Sequence, residues 1–130
     1  MGKIRQSIII AALHHKMAVD DLVRKPDTRR VRQAKRFASL LPKLAADASY
    51  QQIGDRLGRH HTTILSNQRM MRRDMEENPR LHDEMMALAH AIRSGNGHRM
   101  IVGPGPAQRL VYERRLAEAM ASWRQSKSEN

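Results

Sequence analysis

Residues Gly54 to Leu65 read Gly-Asp-Arg-Leu-Gly-Arg-His-His-Thr-Thr-Ile-Leu, a glycine turn, cations, imidazoles and two hydroxyls in one helix-to-helix junction. The chemistry open to such a set is hydrogen bonding to a polyanion with heterocyclic edges. At the start of a helix lying in a DNA major groove, His61, Thr62 and Thr63 would occupy the turn that meets the bases. A threonine methyl packs on a thymine methyl, its hydroxyl bonds to a base edge or a phosphate, and an imidazole can do either. Arg59 and His60 fall in the turn itself, where Arg59 is suited to phosphate.

Other chemistries fit less well. His14-His15 and His60-His61 are adjacent pairs, and neighbours on a helix point about 100° apart, so neither is expected to chelate a metal. Asp74, Glu76, Glu77, Asp83 and Glu84 cluster around Asn78-Pro79, where acidic groups serve the helix dipole or repel DNA from a distal face. Nothing pairs a nucleophile with a base at a readable spacing, and no Gly-x-x-x-x-Gly-Lys-Ser/Thr loop is present to cradle a nucleotide. We expect neither an enzyme nor a cofactor.

The chain's 130 residues, 40% of them hydrophobic, suffice for about one domain with a modest core. Lys and Arg number 24 against 13 Asp and Glu, a formal charge of +11 that favours nucleic acid or an anionic membrane as partner. Cysteine is absent, which excludes disulfides and thiolate zinc sites and suits a reducing compartment. The longest apolar run, Ile8 to Leu13 behind Lys3 and Arg5, ends at His14-His15 without a small-residue cleavage site and reads as a buried helix. A membrane span needs about 20 apolar residues. The expectation is a soluble, cytoplasmic, nucleoid-associated protein.

The elements that would position the junction are nearly all helical, because apolar residues recur three or four apart and Gly and Pro are scarce before residue 95. A first helix is expected from about Ile4 to Met17 and a short turn of helix near Asp20 to Val23. Arg24 to Thr28 breaks the pattern. The next helix opens near residue 28, with Val31, Ala34, Ala38, Leu41 and Ala45 on one face, and Pro42 predicts a kink or an end near Leu41. Ser49 caps a helix from about Tyr50 to Leu57, which Gly58 stops. The recognition helix runs from about His61 to Met75, with Ile64 and Leu65 inward and Arg69, Arg72 and Arg73 outward. Met70, Met71, Met75, Met85 and Met86 are read as core filling between two helices. Asn78 and Pro79 start another helix with a core stripe of Leu81, Met85, Leu88 and Ile92. Residues 1–94 form the main domain, 95–106 a Gly/Pro linker, and 107–124 an amphipathic helix through Tyr112, Leu116, Met120 and Trp123; 125–130 read as a disordered tail.

From about Ile4 to Arg93 the sequence resembles the C-terminal DNA-binding domain, domain IV, of the bacterial chromosomal replication initiator DnaA. The matching pieces are Asp21-Leu22 before a basic loop, Thr28-Arg29-Arg30-Val31 opening a long helix, Ile53-Gly54, and Arg59-His60-His61-Thr62-Thr63-Ile64-Leu65. The family's signature there reads Gly-Gly-Arg-Asp-His-Thr-Thr-Val-Leu-His-Ala. The resemblance implies an all-α, helix-turn-helix domain of the DnaA C-terminal, TrpR-like type, here with an extra C-terminal amphipathic helix. It implies that Arg29 enters the minor groove, that Lys35, Arg36 and Lys43 hold the phosphate backbone, and that His61, Thr62 and Thr63 read the major groove of the initiator's box. Arg30 and Arg69 are counted with the phosphate contacts.

Three departures matter. His60 stands where the family has an aspartate suited to accept from cytosine, so base preference there can differ. One family glycine is missing before Arg59. Ser66-Asn67 replaces His-Ala, which adds Asn67 to the major-groove set. The reading is sequence-specific double-stranded DNA binding at DnaA-box-like sites, regulating replication initiation or transcription without ATPase activity. The alternatives are sequence-blind nucleic-acid packaging and a protein-interaction adaptor working through the last helix, whose partners would be replication proteins or a second copy. No membrane partner is expected.

Overall fold

The computed structural model describes residues 1–24 and 26–128. Its helices are α1 (Lys3–His14), α2 (Val19–Arg24), α3 (Arg29–Ala46), α4 (Tyr50–Leu57), α5 (His61–Glu77), α6 (Pro79–Arg93) and α7 (Pro106–Ser128), with a 3-10 turn at Gly97–Met100. No strand occurs among the described residues. The fold is all-α. Lys25, in the expected loop, and the last two residues of the expected tail lie outside the described residues; 125–128 are helical.

The central element is α3, which packs against α1, α5 and α6. Its apolar face follows from spacing: Val31, Ala34, Ala38, Leu41 and Ala45 are buried, and Phe37 and Leu40 widen the stripe. Thr28 caps it, accepting a hydrogen bond from the Val31 amide. Pro42 does not end it, contrary to expectation. The helix runs on to Ala46, where Asp47 takes a left-handed φ of 53° and the Asp47 and Ala48 amides bond back to the Lys43 and Pro42 carbonyls. A proline inside a helix costs about 3 kcal/mol. Burial of Leu41, Pro42 and Ala45 on the core side offsets that cost, a tertiary effect that local pattern cannot register.

The segment expected as a linker is part of the packing. Its 3-10 turn buries Met100, and Tyr112, Leu116 and Met120 of α7 join the same hydrophobic core. A polar lock reinforces this seam. His14 on α1 donates from Nε2 to Glu84 of α6 at 2.7 Å, and its Nδ1 shares a hydrogen bond with the Tyr112 hydroxyl of α7 at 2.7 Å. Its ring stacks on Phe37 with centroids 4.8 Å apart, and Arg80 holds the other Glu84 oxygen at 3.0 Å. Four helices thus meet at one imidazole. Arg109 lies 4.8 Å above the Tyr112 ring and donates to the Leu13 carbonyl, tying the start of α7 to α1.

Candidate nucleic-acid interface

The α4 to α5 junction is built from local signals. Ser49 and Gln52 form a reciprocal capping box at the start of α4, and Gly58 ends the helix with a left-handed φ of 64°. Gly54 sets the depth of the turn. A β-carbon there would lie 2.5 Å from the Arg59 carbonyl oxygen, so only glycine lets the returning chain approach this closely. The Arg59 amide closes the contact on the Gly54 carbonyl at 2.9 Å. Ile53, Leu57 and Ile64 are buried beneath, fixing α4 against α5.

His60 caps α5. Its Nδ1 accepts from the Thr62 amide at 3.2 Å and lies 2.8 Å from the Thr62 hydroxyl. An amide can only donate, so Nδ1 carries no proton, the hydroxyl donates to it, and the neutral ring holds its hydrogen on Nε2. The His60 and His61 rings lie 4.1 Å apart by centroid. His60, His61, Thr62 and Thr63 are all exposed, side by side at the helix start. Asn67 differs: it is partly buried and donates to the Ser39 hydroxyl at 3.2 Å. Beside it Gln68, absent from the sequence reading, is buried and donates to the Ser39 carbonyl at 2.9 Å. These two amides clasp α5 to α3.

The cations divide into free and engaged groups. Arg29, Arg32, Arg69, Arg72 and Arg73 are exposed, and no hydrogen bond or ion pair engages them among the described residues. Arg29, Arg32 and Arg36 line an open groove of about 750 Å³ between α3 and the end of α5, with Asp74 and Glu77 on its far wall. Arg59 donates only to its neighbour, the Gly58 carbonyl.

The remaining cations have internal work. Arg30 donates three hydrogen bonds to the His15 and Lys16 carbonyls at 2.7 to 3.2 Å, closing the open end of α1. Lys35 is buried, its ammonium 2.6 Å from Asp27. Arg36 pairs with Asp74 at 3.5 Å, and its Nε is buried without a partner. Lys43 pairs with Asp47 at 2.9 Å one turn on. Of the cations singled out from sequence, Arg29, Arg59 and Arg69 therefore stand unpaired with any acid, whereas Arg30, Lys35, Arg36 and Lys43 are engaged. Arg32, which the sequence places with Arg29 on the polar faces of the long helix but not among the phosphate contacts, is exposed one turn from Arg29.

No cluster of three or more metal-ligating side chains occurs among the described residues, and no helix there is long and apolar enough to cross a membrane.

The chain is similar to curated proteins that share one description, chromosomal replication initiator protein DnaA. It is 31% identical over 90 residues to that of Corynebacterium aurimucosum and 30% identical over 88 residues to that of Corynebacterium jeikeium. The alignments cover 68% and 67% of this chain but only 16% and 15% of those relatives. The chain thus resembles one limited portion of the initiator. No family model matches it, and no solved structure matches it.

Proposed function

We propose that this chain binds double-stranded DNA sequence-specifically, with α4, the turn and α5 acting as a helix-turn-helix and α5 entering the major groove by its first turn. The observation that carries this reading is the exposed row His60, His61, Thr62 and Thr63 at the start of α5, set by the close approach at Gly54, with Arg59 beside it in the turn and Arg29 and Arg32 exposed and unpaired on α3. His61, Thr62 and Thr63 contact bases, Arg29 reaches a minor groove, and Arg32, Arg59 and Arg69 contact phosphates. The similarity to the initiator supports target sites related to its box and a role in replication initiation or transcription. No nucleotide chemistry is part of the reading.

Selection of duplexes from a random pool tests it. A specific reader keeps a preference of at least about 10³ over random duplex at fixed salt. Enrichment of no sequence would instead favour packaging. Against the adaptor alternative stands the burial of Tyr112, Leu116 and Met120 of α7 in the chain's own core, with Trp123 of the same stripe partly buried.

Two single-residue results follow from the geometry. Arg29→Ala should weaken binding by about 1 to 3 kcal/mol without changing stability, whereas Arg30→Ala should lower stability by about 1 kcal/mol through the lost carbonyl bonds and weaken binding less. Titration at fixed salt beside thermal unfolding separates them; equal binding losses would refute the division. His60 presents an Nε2 donor where an aspartate would present an acceptor, so it seeks a guanine or thymine acceptor edge. His60→Asp, which can still cap α5, should turn that position toward cytosine by about 1 to 3 kcal/mol. Parallel selections with both proteins read the change, and an identical consensus would count against base contact by His60.

A further inference from the structure

Asp27 is an acid set among cations. Its carboxylate receives the Lys35 ammonium at 2.6 Å, and the charges of Lys35, Arg59 and Arg32 all act on it. The hydrogen bond from Lys35, aided by these charges, holds the carboxyl below the usual aspartate range. The two partners are unequally placed. The Lys35 side chain is 8% exposed and the Asp27 side chain 62% exposed, so a buried cation faces out through an exposed anion. No other acid pairs with Lys35 among the described residues.

Buried ammonium is unfavourable without a counter-charge. Asp27 lies just before α3, its carboxylate held among the described residues by a single hydrogen bond, from Lys35. Lys35 of α3 makes the one contact, while Arg32 of α3 and Arg59 of the α4 to α5 turn add positive charge to the surroundings of the same carboxylate without pairing with it. A phosphodiester has the same charge and acceptor chemistry.

We propose that this cluster is a phosphate subsite and that Asp27 is its internal occupant, which a DNA phosphate displaces on docking. The proposal rests on the DNA-binding reading above and adds a gate to it. In the free chain the carboxylate neutralises Lys35. On DNA the carboxylate leaves, and Lys35 and Arg59 engage the backbone. Each docking event therefore trades one ion pair for another, and Asp27 lowers affinity for any sequence.

Asp27→Asn removes the competing charge and keeps the side chain's shape. With a 20-base-pair random duplex, the variant should bind more tightly at low salt, with one more effective phosphate contact. Its affinity should then fall about 3.5-fold further than the parent's between 50 and 200 mM salt. Inorganic pyrophosphate provides a second arm: it should raise the unfolding temperature of Asp27→Asn more than that of the parent. Asp27→Asn/Lys35→Met, which fills the buried position with an apolar chain, should lose both gains while remaining folded. An unchanged salt slope together with an equal pyrophosphate response would overturn the proposal. Weaker binding by Asp27→Asn would also overturn it, leaving Asp27 a strut for the loop. If neither protein binds duplex, the DNA reading fails, and the pyrophosphate arm still decides whether Asp27 guards an anion site.

Discussion

Gly54→Val is expected to destabilise the chain by about 3 kcal/mol, the upper part of the range for overpacking a filled site, and to abolish sequence preference in DNA binding. The new β-carbon would meet the Arg59 carbonyl oxygen at 2.5 Å, and the obstacle is backbone rather than a side chain that can swing aside. The Ile64 side chain, 3.6 Å away, closes the other exit. Relief requires α4 and α5 to separate. That breaks the Arg59 amide bond to Gly54 and rotates the start of α5 away from the entry angle set by the turn. Chemical denaturation and duplex selection measure the two effects. Retention of stability would mean that the turn yields more easily than its geometry indicates.

Acidification should cost the fold about 3 kcal/mol between pH 6.5 and 4 through His15 alone. Burial lowers its pKa from 6.5 to about 4, opposed by a hydrogen bond to the Ala11 carbonyl and reinforced by His14 and Arg30. The sign follows from proton counting: between those values the unfolded chain binds a proton that the native chain refuses, so stability falls as pH falls. His15→Gln removes the titration and should flatten the slope in that window, whatever it does to stability at pH 7. The depressed carboxyls of Asp27, Asp47, Asp83 and Glu84 release their contribution at lower pH, below the ordinary carboxylate range. Urea unfolding of both proteins across the window checks the difference. Parallel curves would show that His15 is free to protonate in the native state.

The elements around the reading turn were legible because their signals are local. Ser49, Gly58, Asn78 and Pro79 each act on a backbone group within a few residues, and they bound α4, α5 and α6 as the sequence indicates. Pro42 misled because its cost is local while its compensation is burial against other helices. The commitments of the cations were hidden for the same reason. Whether Arg30 faces solvent or the end of α1, and whether Lys35 is free or beneath Asp27, depends on chain that folds back through space. The His14 lock joins residues up to 98 positions apart, a separation at which no periodicity speaks. His60 was visible as a departure from the family's pattern, but its protonation could only be read from the amide it caps.

The seam between α6 and α7 also gives the molecule an optical handle. Trp123 is the chain's single tryptophan. Its indole sits 5.8 Å from the His82 ring of α6, edge to face, with the Lys127 ammonium 5.1 Å from its centre. Lys127 belongs to α7 itself and stays with the indole, whereas His82 belongs to α6, so the emission is tuned by whether α7 lies on α6. Fluorescence from an unlabelled sample therefore follows the docking of the last helix, and the α4 to α5 turn has no indole of its own to confuse the record.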